Sequence, residues 1–503
     1  MFSTVLIANR GEIACRIIRA CRELGIRSVA VFSEADRGAL HTRLADDAVF
    51  IGPAEPAQSY LNIPRLLAAA KASGAQAVHP GYGFLSEQAE FARACAAAGL
   101  VFIGPTPEVL AAVGDKLEAR RRAAAAGAPV VPGSDGLVTD AVEAERVART
   151  IGLPVLLKAA GGGGGKGMRI VHDPAALRDA FTAAAGEALS AFSDPRLYVE
   201  KLIHPVRHIE VQVLADAHGH LIHLGERDCS VQRRHQKLAE ETPAPHLPEA
   251  VRSGLCDAAL KVMRAVGYTN AGTVEFLVAP EGGHYFLEVN ARLQVEHPVS
   301  EAATGIDLVH AQLRIAAGEP LPWQQGDIAP RGAAIECRVY AEDPFADFAP
   351  APGHVVRVAE PAGPGVRVDS CLLDGCAVPL MYDPIVSKVI VAGRDRAEAL
   401  ARMRRALAEY EVWGIRTTLP FTRWLLDIEE FARGGVTTDF VARHWKPAPA
   451  EAHPLAGVAV AAAVLAATRP RALRAAPANR WRAAGRAALL RGAKKRAARK
   501  APR

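Results

Sequence analysis

The chain has 503 residues, of which 50% are hydrophobic and 23% charged. This composition excludes a mainly disordered or fibrous protein. At ~150 residues per domain, the length predicts about three domains. Its net charge of +6 arises from 13 Lys/Arg and no acid in residues 469–503, which leaves residues 1–468 at −7, so the charge does not indicate a nucleic-acid-binding body. The charge-free apolar run at residues 455–468 is shorter than the ~20 residues of a membrane span. The first residues lack the basic start of a secretory signal. We therefore expect a cytoplasmic protein without a membrane partner.

Residues 1–113 alternate short apolar segments with segments of helical periodicity. Strands are predicted at residues 4–8, 28–32, 48–51, 77–79 and 101–103. Helices are predicted at residues 13–24, 63–73 and 88–98, where apolar residues recur at helical spacing. Strands that alternate with helices predict a doubly wound parallel sheet. The first strand is followed by only one glycine, so the dinucleotide fingerprint is missing and NAD is not expected.

A glycine-rich segment at residues 161–167 follows a strand predicted at residues 155–158. Such a segment lets backbone N–H groups approach a polyphosphate closely. A P-loop would need Gly and Ser or Thr where the sequence has Ala160 and Gly167. Because residues 168–171 predict a second strand rather than a helix, a flexible flap over phosphates is favoured, with a disordered surface linker as the alternative.

A β-hairpin is predicted at residues 270–290, with residues 280–283 as its loop. If Ala279 pairs with His284, then Leu277 faces Phe286 and Glu275 faces Glu288. The opposite face then carries the apolar side chains Val274, Phe276, Val278, Tyr285, Leu287 and Val289. Opposed carboxylates destabilise a sheet unless something neutralises them, and Mg²⁺ prefers carboxylate and phosphate oxygens. The hairpin therefore predicts a magnesium site, with a solvated acidic face as the alternative.

The alternation of polar and apolar residues continues beyond the hairpin. If residues 288–296 are extended, one row holds the polar side chains Glu288, Asn290, Arg292, Gln294 and Glu296. An ordinary amphipathic strand is the alternative. A second polar cluster, residues 226–237, is dense in cations and lacks aromatic residues for base stacking; by itself it could also be a solvated charge run.

The remaining chain is predicted as a mixed segment at residues 331–446, with a helix at 397–410, and an Ala/Arg-rich basic tail at 447–503. We expect the tail to be a solvated segment or a weak contact for polyanions. The eight cysteines form no C-x-x-C pair and no zinc-ligand spacing, so we interpret them as reduced thiols in a cytosolic enzyme.

Long motifs in this chain resemble the biotin carboxylase family, over about residues 3–446. They are HPGYGFLSE at 79–87, KAAGGGGGKGMR at 158–169, RHIEVQVLAD at 207–216, ERDCSVQRRHQK at 226–237, EVNARLQVEHPVSE at 288–301, TGIDLVHAQLRIAAGEPL at 304–321 and ECRVYAEDP at 336–344. The resemblance implies a multidomain α/β and α+β fold. Its parts are a doubly wound N-terminal domain at 1–113, an ATP-grasp domain at 114–330 with a glycine-rich lid at about 130–205, and a mixed C-terminal domain at 331–446.

The resemblance also implies the site residues. Those implied for ATP are Lys116, Lys158, Gly164, Gly165, Glu200, Lys201, Leu202, Ile203, His208, His235, Glu275 and Glu288. Those implied for Mg²⁺ or Mn²⁺ are Glu275, Glu288 and Asn290, in agreement with the hairpin argument. Those implied for bicarbonate are Lys237, Arg292, Gln294 and Val295, and those for biotin are Tyr82 and Arg338. The implied catalytic residues are Glu296 as general base, Arg292, Arg338 and Lys237.

The implied activity is the MgATP-dependent carboxylation of biotin by bicarbonate, with carboxyphosphate as the intermediate. The products are carboxybiotin, ADP and phosphate. This is the first half-reaction of an acetyl-CoA or other acyl-CoA carboxylase. No Met-Lys-Met motif follows residue 446, so biotin is expected on a separate biotin carboxyl carrier protein. Carboxyltransferase subunits are further expected partners, in a homodimer or larger complex. Nucleic acid is not an expected partner.

Thr242, Ala291 and Ser300 depart from residues common in the family, but none of these changes removes a charged or liganding group. Two alternatives stay open at this point. One is another ATP-grasp ligase that uses an acyl-phosphate, and the other is a non-catalytic nucleotide-binding scaffold subunit.

Overall fold

The computed structural model describes residues 1–160, 167–192 and 194–447. Residues 1–447 form one compact unit. Most of the predicted glycine-rich flap, including Gly164 and Gly165, lies outside the described residues, and so does the predicted tail from residue 448 onward. Among the helices of the described part, none is long and apolar enough to cross a membrane.

The N-terminal segment is built around a five-stranded parallel sheet in the order β3–β2–β1–β4–β5, which confirms the doubly wound prediction. Its elements are β1 Thr4–Ile7, α1 Gly11–Glu23, β2 Arg27–Ser33, α2 Leu40–Leu44, β3 Asp47–Gly52, α3 Ile63–Ser73, β4 Ala77–His79, α4 Ala89–Ala97, β5 Val101–Phe102 and α5 Pro107–Gly114. Strand β1 is buried along its whole length, because helices cover both faces of such a sheet, and this explains its continuous apolar sequence.

A small antiparallel sheet in the order β7–β6–β8 follows in the chain and has its own apolar core, in which Val155, Leu157 and Val199 are fully buried. The elements of this part are α6 Lys116–Ala125, α7 Ala141–Ile151, β6 Val155–Ala159, β7 Met168–Val171, α8 Leu177–Phe192 and β8 Leu197–Lys201. The two strands predicted on either side of the glycine-rich segment are confirmed as β6 and β7.

The largest sheet has eight antiparallel strands in the order β13–β12–β9–β10–β11–β14–β21–β19. Its first five strands and the neighbouring helices are β9 Arg207–Ala215, β10 Leu221–Arg233, β11 Gln236–Thr242, α9 Glu249–Ala265, β12 Asn270–Val278, β13 His284–Asn290, α10 His297–Thr304 and α11 Leu308–Ala316. Of the cation-dense residues 226–237, those at 226–233 and 236–237 lie in β10 and β11, and 226–232 are buried. Only Arg234 and His235, in the turn between the strands, are exposed, so most of the segment is not a solvated charge run.

The C-terminal segment completes this sheet with β14, β21 and β19, against which α12 packs its buried face. Its elements are β14 Ala333–Tyr340, β15 Glu342–Asp343, β16 Ala349–Pro350, β17 Gly353–His354, β18 Arg357–Ala359, β19 Val366–Ser370, β20 Ala377–Val378, β21 Ile385–Gly393, α12 Arg396–Glu409, β22 Glu411–Trp413, α13 Leu419–Asp427, α14 Glu429–Arg433 and α15 Phe440–His444. The predicted domain limits near residues 113 and 330 stay predictions, and the mixed α/β and α+β fold class is confirmed.

Candidate active site

The predicted hairpin is formed by β12 and β13, and two carboxylates face each other across it. Glu275 pairs with Glu288, as predicted, and Phe276 pairs with Phe286. Leu287 is therefore an extra residue in β13, which makes a β-bulge between the two pairs. The bulge determines which side chains of β13 lie on the same face of the sheet as the two carboxylates.

The predicted register is wrong on the loop side of this bulge. Leu277 pairs with Tyr285 rather than with Phe286. The core face of β13 holds the buried Phe286 and Val289, whereas Tyr285 and Leu287 are only half-buried. The alternation of side chains assumed in the prediction fails because two consecutive bulge residues oppose a single residue of β12.

The predicted extended row over residues 288–296 is also wrong in part. Strand β13 ends at Asn290, and α10 begins at His297. The intervening residues form a turn in which Gln294 and Glu296 are buried. Their side chains still converge with the hairpin, because the Gln294 amide Nε2 donates to Glu275 Oε1 over 3.0 Å.

Lys237, at the start of β11, holds three carboxylates together. Its Nζ lies 2.7 Å from Glu210, 2.8 Å from Glu275 and 2.6 Å from Glu296. Burial alone would lower the pKa of Lys237, but these three charges outweigh it and raise that pKa well above its usual range. The ammonium therefore stays charged. His208 Nε2 lies 3.0 Å from the second oxygen of Glu275.

Arg338 of β14 reaches the same centre from the opposite side. Its Nη2 donates to Glu296 Oε2 over 2.9 Å, and its Nε lies 2.6 Å from Glu240 Oε1. Burial favours the neutral form of Glu296, but Lys237 and Arg338 hold the pKa of its carboxyl well below the usual range. Glu296 is consequently an ionised acceptor between two cations.

Arg292 links the turn to the hairpin and to the N-terminal segment. Its guanidinium donates to Gln294 Oε1 over 2.7 Å, to Asn290 Oδ1 over 2.9 Å and to Glu87 over 2.9 Å. The carbonyl of Val295, in the same turn, accepts a hydrogen bond from Lys388 Nζ over 2.7 Å. The start of β11 and this turn thus supply all four residues expected to bind bicarbonate.

The residues expected to bind ATP fall into two groups. Lys158 Nζ lies 2.9 Å from Glu200, and Lys116 Nζ lies 3.5 Å from Glu288. His235 is in the turn between β10 and β11, and burial together with the nearby charges of His208, Lys158 and Lys116 lowers its pKa. Each of the two lysines is thus paired with a carboxylate, and His235 lies near both of them.

The second group lies at the end of β8. Lys201 Nζ donates to the carbonyls of Gly152 and Leu153, so its ammonium is not joined to the acidic cluster. Leu202 and Ile203 follow the strand, and Leu202 N–H donates to Pro154 O over 3.0 Å.

Tyr82, expected near biotin, is connected to the turn through buried charges. Its hydroxyl donates to Glu12 Oε1. Glu12 in turn lies 3.4 Å from Lys388 Nζ, which holds the carbonyl of Val295. Tyr82 is thus linked to the turn through Glu12 and Lys388, whereas Arg338 contacts Glu296 of the turn directly.

Sequence reasoning missed Glu210 and Arg227, which underlie this centre. Arg227 is fully buried and its Nε donates to Glu210 over 2.5 Å. It also donates to Gln212 and to Ser300 Oγ. The alternation of His208, Glu210 and Gln212 along β9 was the available signal, because alternate residues of a strand share a face.

The residues expected to hold the metal ion are two carboxylates and an amide. Glu288 is about one third exposed, with 36% of its side-chain surface accessible. Within the described ranges, Asn290 Nδ2 is buried without a hydrogen-bond partner, while its Oδ1 accepts from Arg292. Carboxylate and amide oxygens suit Mg²⁺ and Mn²⁺, so Glu275, Glu288 and Asn290 fit such an ion.

Three family models match this chain in succession. They are the biotin carboxylase N-terminal domain at residues 1–110, the carbamoyl-phosphate synthase L chain ATP-binding domain at 115–324 and the biotin carboxylase C-terminal domain at 336–443. Biotin carboxylase of Nostoc sp. is 52% identical over 88% of this chain and 98% of its own length. Biotin carboxylase of Pseudomonas aeruginosa is also 52% identical, over 88% of this chain and 98% of its own length.

Solved structures are similar over the same range. The β-γ-ATP complex of Campylobacter jejuni biotin carboxylase has a TM-score of 0.86 at 46% identity, covering 88% of this chain and 99% of that one. The biotin carboxylase domain dimer of Hydrogenobacter thermophilus 2-oxoglutarate carboxylase, in complex with MgADP, ADP and bicarbonate, has a TM-score of 0.85 at 46% identity, covering 88% and 98%.

Proposed function

The chain belongs to the biotin carboxylase family, and we propose that its active site uses MgATP and bicarbonate to carboxylate biotin on a separate carrier protein. The observation that carries this proposal is the buried centre in which Lys237 and Arg338 flank Glu296. A non-catalytic scaffold has no need for such costly buried charges. The products are carboxybiotin, ADP and phosphate.

Glu296 is the proposed general base for bicarbonate. Its ionised carboxylate can accept a proton, and the neighbouring cations Lys237 and Arg292 are the residues proposed to bind the anion. When bicarbonate takes up part of the charge of these cations, Glu296 becomes a stronger base. Gln294 and the backbone of Val295 would orient the anion in the turn between β13 and α10.

Catalysis of the phosphoryl transfer that forms carboxyphosphate rests on positioning and charge neutralisation. Lys116 and Lys158 would bind phosphate oxygens, while His235, Glu200 and residues 201–203 would surround the nucleotide. Glu275, Glu288 and Asn290 would hold Mg²⁺ or Mn²⁺, which neutralises phosphate charge when bound. Gly164 and Gly165 are proposed for the phosphates from the family resemblance alone.

Arg338 and Tyr82 are the proposed biotin-side residues. The Arg338 guanidinium can stabilise the negative charge that develops on the ureido oxygen of biotin when the phosphate released from carboxyphosphate takes the proton from the biotin nitrogen. Tyr82 lies next to Glu12, and Glu12 lies near Lys388. These three polar side chains form a row beside the turn between β13 and α10.

The family implies a biotin carrier and a dimer as partners. We further propose separate carboxyltransferase subunits, which select the final acceptor, and a homodimer or a larger carboxylase complex. All eight cysteines are free thiols, which supports a reducing compartment, the cytoplasm.

The test measures ATP cleavage and incorporation of labelled bicarbonate into free biotin. We expect ATP cleavage to require bicarbonate and to increase with biotin, and Glu296→Gln to abolish carboxybiotin formation. The matched control is Glu281→Gln, in the hairpin loop. ATP cleavage that ignores biotin but responds to ammonia would instead support a carbamoyl-phosphate type of ligase.

A further inference from the structure

Two carboxyl groups without a proposed role lie behind the pair formed by Glu296 and Arg338. Glu240 in β11 and Glu336 in β14 are cross-strand partners. Both are buried, with 1% and 0% of their surface exposed. Directly opposed residues of an antiparallel pair have Cβ atoms about 5 Å apart on one face of the sheet. The two carboxyl groups therefore share one desolvated space.

The carboxyl oxygens of this pair accept no hydrogen bond from the described residues. In the part of the chain that the structure describes, all four oxygens of Glu240 and Glu336 lack a hydrogen-bond partner. Arg338 Nε approaches Glu240 Oε1 to 2.6 Å, but as an ion pair only. A buried carboxylate without donors is costly, and two carboxylates in one site do not both ionise readily. Because only one of the two carboxyl groups, Glu240, has a cation within ion-pair distance among the described residues, the geometry favours a proton on the pair.

The charges around the pair come from strands β9, β11, β14 and β21 and from the turn before α10. Those acting on Glu240 are Arg338, Glu296, Lys237 and Glu210. Those acting on Glu336 are Lys388, Glu240, Arg338 and Glu296. Burial raises the pKa of Glu240 to about 7 against the opposing charge of Arg338. Burial also raises the pKa of Glu336 well above its usual range, against the opposing charge of Lys388. Both raised pKa values agree with the burial of two opposed carboxyl groups.

We propose that Glu240 and Glu336 share a proton at neutral pH and act as a positioning pair for Arg338. The guanidinium bridges Glu240 on one side and Glu296 on the other. The shared proton limits the pair to one negative charge. Arg338 therefore keeps its contact with Glu296 as well as its ion pair with Glu240. The consequence for catalysis rests on the proposed function of Arg338 at biotin.

The proton itself is tested by infrared difference spectra of the full chain without substrates. Glu336→Gln should remove the carbonyl band of a protonated carboxyl, because Glu240 then ionises beside Arg338. Glu240→Gln should instead shift that band, because the proton is then confined to Glu336, which burial keeps neutral. Glu398→Gln on α12 is the control with the same change of charge, and it should remove only carboxylate bands. A protonated band that remains in Glu336→Gln, or that keeps its wild-type frequency in Glu240→Gln, overturns the shared proton.

A single variant that fails to fold is replaced by the double variant, Glu240→Gln with Glu336→Gln. This variant leaves no unpaired carboxylate between β11 and β14. Loss of the protonated band in its difference spectrum supports the proposal, and an unchanged band overturns it.

The positioning role is tested by the pH dependence of biotin carboxylation. Glu240→Gln should lower the rate about tenfold or more, since a catalytic group displaced by about 1 Å can cost ~10²-fold, and should flatten the pH profile near neutrality. Glu398→Gln should do neither. A wild-type pH profile in Glu240→Gln overturns the role of the pair. If the wild-type chain itself carboxylates no biotin while the infrared result holds, the proposed function fails and the shared proton stands.

Discussion

Lys237 Nζ lies 2.6 Å from Glu296 Oε1, and the same ammonium contacts Glu210 and Glu275 at 2.7 and 2.8 Å. All three carboxylates are buried. One ammonium cannot neutralise three carboxylates, so the centre depends on Arg227 and Arg338 as well. Removal of any one of these cations should therefore lower both the stability of the fold and the activity.

Lys237→Met is expected to destabilise the fold by about 3–5 kcal/mol, because it leaves buried carboxylates without their shared partner. The urea midpoint of unfolding measures this change. Lys446→Met is the matched control, since Lys446 is exposed and bonds only the Ala442 carbonyl among the described residues. Equal midpoints for the two variants would contradict the importance of the centre.

The cost of Lys237→Met should also depend on pH. In the wild-type chain, burial would raise the pKa values of Glu275 and Glu296, but Lys237 depresses both. Each carboxylate thus adds stability above its unfolded pKa of about 4.3, and this stability is lost as pH falls through the folded value. The difference between wild type and variant should be largest at neutral pH and shrink below about pH 4.

Glu288→Gln should remove much of the stabilisation by magnesium nucleotide. A ligand at 100 times its dissociation constant contributes ~2.7 kcal/mol, so MgADP should raise the melting temperature of the wild-type chain clearly. Glu281→Gln in the hairpin loop should respond as the wild type does. If Glu288→Gln responds equally well, the paired carboxylates do not hold the metal.

Arg338→Ala should lower carboxybiotin formation by ~10²–10³-fold, as expected for loss of one charge-stabilising donor. The family resemblance predicts that Arg338 acts mainly after carboxyphosphate forms. Its contact with Glu296 at 2.9 Å indicates a further effect on bicarbonate-dependent ATP cleavage, smaller than the effect on biotin. Both rates are measured on one preparation, and an equal loss in both would refute a separate biotin role.

Ser300→Ala should destabilise the chain by about 1.5 kcal/mol, because Ser300 Oγ accepts a hydrogen bond from the buried Arg227 over 3.0 Å, and bonds to charged groups contribute roughly 1.5–3 kcal/mol. Ser300→Thr keeps the hydroxyl and should be near neutral. Thermal unfolding of both variants tests this, and a neutral Ser300→Ala would contradict it.

Truncation after Thr468 should leave turnover with free biotin within about twofold. Residues 469–503 contain no acid and match no family motif, so few buried contacts are expected to be lost. Steady-state rates of the full and shortened chains provide the measurement. A collapse of activity in the shortened chain would show that the tail is required.

Much of the fold followed from the sequence because local periodicity specifies it. Helix α3 was predicted with its observed limits, residues 63–73, and the parallel N-terminal sheet followed from alternating strands and helices. The opposition of Glu275 and Glu288 was also predicted. The family, and with it the chemistry, followed from long motifs that no periodicity argument could have supplied.

Only the tertiary structure decided how these residues meet. The bulge at Leu287 and the end of β13 at Asn290 have no signal in an alternating pattern, since a pattern does not show where the chain leaves the sheet. The sharing of Lys237 by three acids and the pairing of Glu240 with Glu336 depend on the order β12–β9–β10–β11–β14. Strand order is set by packing between segments distant in sequence, so it determines which buried charges compensate one another, and local residue patterns do not encode it.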